Sequence, residues 1–240
     1  YDSARIDTPP NTMAALKAWV QANPGRFTYP QPPDFTGSAF VRQVFYAATG
    51  GHEAYMAGWD PDLFARNAPR LWDWLNEIEP YLWQKGRTYP QDSAFLDTLF
   101  SRGEVALGMS YHPAHAQNKI IEGSYPDTVR TFVMQDGSIY NTHFTAIPFN
   151  SPNKAGAMVL ANFLVSVDAQ LSKYRPDHWG DFPALDLNRL TSEDQKRFQA
   201  IDLGPATLGS ERLDPVAVPE IPAAYLEALE QGWKEHVLDK

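Results

Sequence analysis

Apolar positions recur at helical spacing in Met13, Leu16 and Val20, behind a start signal of Pro9, Pro10 and Asn11 or Thr12. Asn23-Pro24-Gly25 ends that run, so the pattern predicts a first helix there. Arg26 to Tyr29 reads as a short strand closed by Pro30, and after a Pro-rich turn a second helix runs through Ala48. Its apolar face is Phe40, Val41, Val44, Phe45 and Ala48. A mostly helical stretch follows from Asp62 to Gln84, interrupted by Pro69 and Pro80, and Ser93 to Arg102 forms another amphipathic helix ending at Gly103. Val105 to Ser110 and Val129 to Met134 are short and apolar, as buried strands are, and Tyr140 to Phe149 is a third extended run. Lys154 to Leu171 reads as one helix with Leu160, Leu164, Val167 and Leu171 on a common face. Residues 174–219 are rich in Pro, Asp and Gly, with short helical pieces only, and a last helix spans Ile221 to Val237. Helices alternating with short strands predict an α/β protein.

Composition narrows the function classes. The net charge of -9 argues against a nucleic-acid backbone as partner, since that calls for clustered Lys and Arg. It leaves small ligands of either sign open. With no cysteine there is no disulfide framework, zinc-thiolate site or cysteine nucleophile. No stretch approaches the ~20 apolar residues that span a membrane. The opening Tyr1-Asp2-Ser3-Ala4-Arg5 has neither an initiator Met nor a signal-peptide pattern, so the expectation is a fragment or a processed piece, with any export signal upstream. Seven Trp and eleven Tyr fit either extra core packing or the aromatic walls of a ligand groove.

The segment richest in candidate chemistry is Thr36-Gly37-Ser38, where a helix begins. A helix N-terminus leaves up to four N–H groups unpaired and carries partial positive charge, so these residues either cap the helix or cradle an anionic or polar ligand group. His112 and His115 are three apart, but no carboxylate stands at a supporting spacing, so no metal site is expected. Asp and Glu spacing picks out no glycosidase pair, and there is no G-x-S-x-G elbow and no Walker-type loop. The reading is therefore not an enzyme, and it needs no cofactor. A hydrolase or transferase with a cleft on the same fold is the alternative.

Three separated blocks carry a resemblance: NPGRFTYPQPPDFTGSAFVRQ (residues 23–43), GEVALGMSYHPA (103–114) and NTHFTAIPFNSPNKAGAMVLANFLVSVDAQ (141–170). In these the chain resembles the YnjB-like branch of the extracellular solute-binding proteins of bacterial ABC importers. The resemblance implies a periplasmic-binding-protein-like fold of type II, two α/β lobes closing over a ligand. It implies one complete lobe plus the returning part of the other, with the N-terminal lobe sequence largely absent. Residues 1–139 would be the ligand-binding lobe with a hinge strand at its start. Residues 140–240 would supply the return crossing, a lobe-one helix and the C-terminal helices. By the same resemblance the ligand meets Thr36, Gly37, Ser38, Ser110, Tyr111, Asn141 and His143, with Trp59 and Trp83 as possible cleft walls. The implied partners are a small polar or anionic solute and an ABC permease. The implied protein is a periplasmic or extracellular monomer, held at the membrane through the transporter.

Overall fold

The structure, a computed structural model, describes all 240 residues. In chain order its helices are α1 (Met13–Ala22), α2 (Phe35–Thr49), α3 (Pro61–Ile78), α4 (Ser93–Ser101), α5 (His115–Ile121), α6 (Lys154–Leu164), α7 (Val167–Tyr174), α8 (Ser192–Gln199), α9 (Ser210–Leu213) and α10 (Ala223–Trp233). Two strands, β1 (Ser138–Ile139) and β2 (Ala217–Val218), pair in parallel. The chain forms two compact units. Unit one holds residues 1–111, 131–141 and 209–240, and unit two holds residues 112–130 and 142–208. The chain thus passes between units four times.

Unit one is built on α2, α3 and α10. Asp60 caps α3 by accepting from the Leu63 N–H at 2.9 Å, and Pro61 starts the helix, where its missing N–H costs nothing. Pro69 removes an interior hydrogen bond, a cost of ~3 kcal/mol in a bare helix. Here the helix continues through it because Ala68, Leu71, Trp72, Leu75 and Ile78 are all buried. Each fully buried leucine contributes roughly 1.5–3 kcal/mol, enough in sum to outweigh the proline. α10 lies close against α3: a Cβ on Gly232 would stand 2.5 Å from the Trp72 ring. The Trp233 indole N–H donates to the Tyr29 hydroxyl at 3.0 Å in the core, beside Tyr89 and Phe40. Burial raises the Tyr29 phenol far above its ordinary pKa and pushes Tyr89 up to about 12.

The expected strands are a correction. In residues 26–29 and 105–109, Phe27, Tyr29, Val105 and Leu107 are buried as expected, but neither segment forms a ladder. Their backbone groups are met one at a time: Ala106 N–H by Arg26 O, and Trp83 N–H donating to Phe27 O, both at 2.8 Å. The Arg26 guanidinium takes the Gly103 and Glu104 carbonyls. A strand needs a partner offering repeated bonds in register. Only β1 and β2 do so. Residues 129–134 and 140–149 likewise carry no ladder beyond Ser138 and Ile139.

Unit two contains α5 to α8. Its most buried polar side chain is Gln170, which donates to Leu164 O at 2.6 Å and accepts from Ala184 N–H at 2.7 Å. The single helix expected over residues 154–171 is two helices, bent by 58°. Ser166 takes an extended backbone and its hydroxyl caps α7 by accepting from Ala169 N–H, so α6 ends at Leu164. The pattern also missed α5, whose seven residues are too few to show a period. No single helix is long and apolar enough to cross a membrane.

α6 buries none of its residues. Val159 is 71% exposed, Met158 65%, and Leu160 and Phe163 56% each. Phe144 and Phe149, just before the helix, are exposed to nearly 90%.

Candidate functional site

The start of α2 is closed by its own sequence. Asp34 is the cap: its carboxylate accepts from Thr36 N–H at 3.0 Å and Gly37 N–H at 2.9 Å, while Ser38 N–H donates to Asp34 O. The N-terminal donors expected to cradle a ligand are thus taken by an internal carboxylate. Gly37 has a second structural reason. An added Cβ would lie 1.9 Å from the Pro30 carbonyl oxygen, so the helix touches the preceding segment at a point where only glycine fits.

The side chains one turn further along α2 do assemble a site. Arg42 is 2% exposed, lying among the apolar residues of α2. Its Nη1 donates to the Ser38 hydroxyl at 3.0 Å, and Nη2 to Glu220 Oε1 at 3.3 Å. Nε stands 3.1 Å from Glu220 Oε2 but is not aligned for a hydrogen bond. The Ser38 hydroxyl donates in turn to Glu230 Oε1 at 2.6 Å. Tyr111 donates to Glu220 Oε1 at 2.6 Å, and Asn141 Nδ2 is 3.5 Å from the same oxygen. Burial first, then the Glu220 carboxylate, raises the Tyr111 phenol far above its ordinary value, so it stays a donor.

The register of the small sheet explains how distant segments meet. Ile139 pairs with Val218. Two residues beyond each lie Asn141 and Glu220, so parallel pairing brings them side by side. Gln43 pins β1 to α2, donating to Gly137 O and accepting from Ile139 N–H at 3.3 Å. Tyr46 holds the other strand's exit by donating to Pro219 O at 3.2 Å. Phe35 packs against Tyr111 with ring centroids 4.8 Å apart. Around this cluster opens a pocket of about 280 Å³, lined by Pro33, Phe35, Ser38, Arg42, Glu220 and Glu230 with Ile221, Ala223 and Leu226.

Of the residues singled out in the sequence, the structure brings Ser38, Tyr111 and Asn141 to this cluster. Thr36 and Gly37 stand just before it on α2. Ser110 is exposed and outside the pocket lining. His143 is in unit two, largely exposed, 3.8 Å from Asp181 and beside the Trp179 ring. Trp59 packs on Tyr225 and Phe64, and the Trp83 indole N–H donates to Glu104 at 3.2 Å; neither lines the pocket. Sequence reasoning missed Asp34, Arg42, Glu220 and Glu230. Arg42 had a legible signal, a charge set inside the apolar run of α2 and four residues after Ser38. The two glutamates had none, because nothing local shows that residues 178 and 192 positions away fold onto the same turn of helix.

Arg42, Glu220 and Glu230 thus line one pocket, with Tyr111 and Asn141 bonded to Glu220 beside it. The model of the family described as bacterial extracellular solute-binding protein matches residues 1–196. The chain belongs to that family. Over 225 residues it is 40% identical to protein YnjB of Escherichia coli (strain K12), a match that covers 94% of this chain and 56% of that protein. The chain therefore spans little more than half the length of this relative. No solved structure matches it.

Proposed function

We propose that this chain is the ligand-holding part of the solute-binding component of an ABC importer, capturing a small polar solute outside the cytoplasm and delivering it to a membrane permease. The observation that carries the reading is the convergence of Arg42, Tyr111 and Asn141, from three separate segments, on one carboxylate oxygen beside a pocket. Membership of a solute-binding family favours capture over turnover. The fold follows the type II binding-protein plan, with unit one as the ligand-clamping lobe and unit two as the returning part of the other. The bare face of α6 supports this, since a helix with no buried residue wants a covering layer.

Binding stabilises the folded state by about 2.7 kcal/mol when free ligand is ~100 times its dissociation constant. Thermal-shift screening of the full-length protein with small anions, cations, sugars and vitamins is therefore the test. At least one class should raise the melting temperature, and Tyr111→Phe should weaken that response. Turnover of a solute with no stabilisation by any class would replace capture with catalysis.

A further inference from the structure

We infer that the pocket takes a small organic cation, recognised by Glu230 together with the free acceptor capacity of Glu220. This deepens the capture reading and rests on it. The charges decide the sign. One guanidinium, Arg42, faces two carboxylates, and Glu220 already pairs with it. Glu230 forms no ion pair, and its one polar contact is the hydroxyl of Ser38. The pocket therefore carries one uncompensated negative charge, in a partly desolvated setting where charge counts for more than in water.

An anionic solute would face two obstacles. It would have to displace Glu220, an intramolecular carboxylate present at high effective concentration, from Arg42, Tyr111 and Asn141 together. It would also sit beside Glu230. A cation meets neither. Glu220 Oε1 is crowded by three donors, but Oε2 has only the misaligned Arg42 Nε–H nearby, so it can accept from a ligand N–H. Glu230 likewise has lone pairs to spare, since a carboxylate can accept about four hydrogen bonds. Phe35, 55% exposed at the rim and backed by Tyr111, presents an aromatic face of the kind that attracts an ammonium group. Pro33, Ile221, Ala223 and Leu226 suit an apolar body behind a positive head.

The test uses three probes of one size: butylammonium, butyrate and 1-butanol, titrated into the full-length protein by calorimetry at low salt. Butylammonium should bind, and Glu230→Gln should weaken it at least tenfold while keeping the acceptor for Ser38. Glu227→Gln, which removes the same charge from an exposed position of α10, should change it less than twofold. Butyrate binding in place of butylammonium, equal loss in both variants, or no binding by any probe overturns the cation assignment. The capture reading fails separately: it survives if an uncharged or anionic solute from the thermal screen binds and Tyr111→Phe weakens that binding, and it falls if no solute binds at all.

Discussion

Removing the Glu220 side chain should cost more than removing the arginine it faces. Arg42 has 3% of its side chain exposed and Glu220 32%, so the two charges differ in what they can do when left alone. In Glu220→Ala the guanidinium stays inside the packed face of α2 with only the Ser38 hydroxyl as acceptor. Breaking a buried pair in this way costs about 3–5 kcal/mol. Glu220's partial exposure admits some water to the vacated space, which lowers the expectation to about 2–3 kcal/mol. In Arg42→Met the orphan is Glu220, which can turn into solvent and keeps Tyr111 as a donor, so the cost should be nearer 1 kcal/mol. The double variant should then be more stable than Glu220→Ala alone. Six of the seven Trp lie in unit one, so the fluorescence transition in urea reports the unit that contains the pair. A Glu220→Ala loss below about 0.5 kcal/mol, or an Arg42→Met loss larger than that of Glu220→Ala, would refute the argument that this carboxylate neutralises a buried charge.

Other perturbations test other links. Gly37→Ala forces a methyl into the Pro30 carbonyl and should destabilise by about 1–3 kcal/mol or more, seen as a lower urea midpoint with unchanged slope; a stable variant that fails only in binding would move Gly37 into the ligand contact. Asp34→Ala removes the α2 cap and the acceptor of the Ser93 N–H and hydroxyl, for a loss of about 1–2 kcal/mol by the same measurement. Burial holds the His112 imidazole below its ordinary pKa, so the folded chain resists its protonation. Below about pH 6.5 the unfolded chain takes up that proton first, and stability should fall with pH until the folded value is reached. His112→Gln should flatten this part of the melting-temperature profile. Finally, the 240-residue chain should self-associate through α6, and Val159→Ser with Phe163→Glu should shift sedimentation towards the monomer without lowering the melting temperature.

Much of the helical frame was legible because each helix carries its own start, stop and stripe. Met13, Leu16 and Val20 behind Thr12 predict α1, and the observed cap is Thr12 accepting from Ala15 N–H. The apolar face read for α2 is buried at Phe40, Val41, Val44 and Phe45. Strands were not legible to the same degree. An apolar run such as residues 105–109 declares burial, but pairing is a property of two segments, and here the neighbouring chain offers single bonds. The helix read over residues 154–171 failed for a related reason: periodicity continues across Ser166, while the break comes from a local capping bond that competes with the helix.

The candidate site divides along the same line. Thr36-Gly37-Ser38 was visible as a helix start, and Tyr111 and Asn141 came through the resemblance. The role of the helix start changed once Asp34 was seen to occupy its N–H groups. What the sequence by itself determined is what is local: where helices begin, which faces are apolar, the acidic balance and the family blocks. Tertiary structure decided the chemistry, because a parallel pair of two-residue strands sets Asn141 beside Glu220, and α10 carries Glu230 to Ser38. Charge pairing depends on distance in space, and no spacing along the chain encodes which carboxylate a buried arginine will meet.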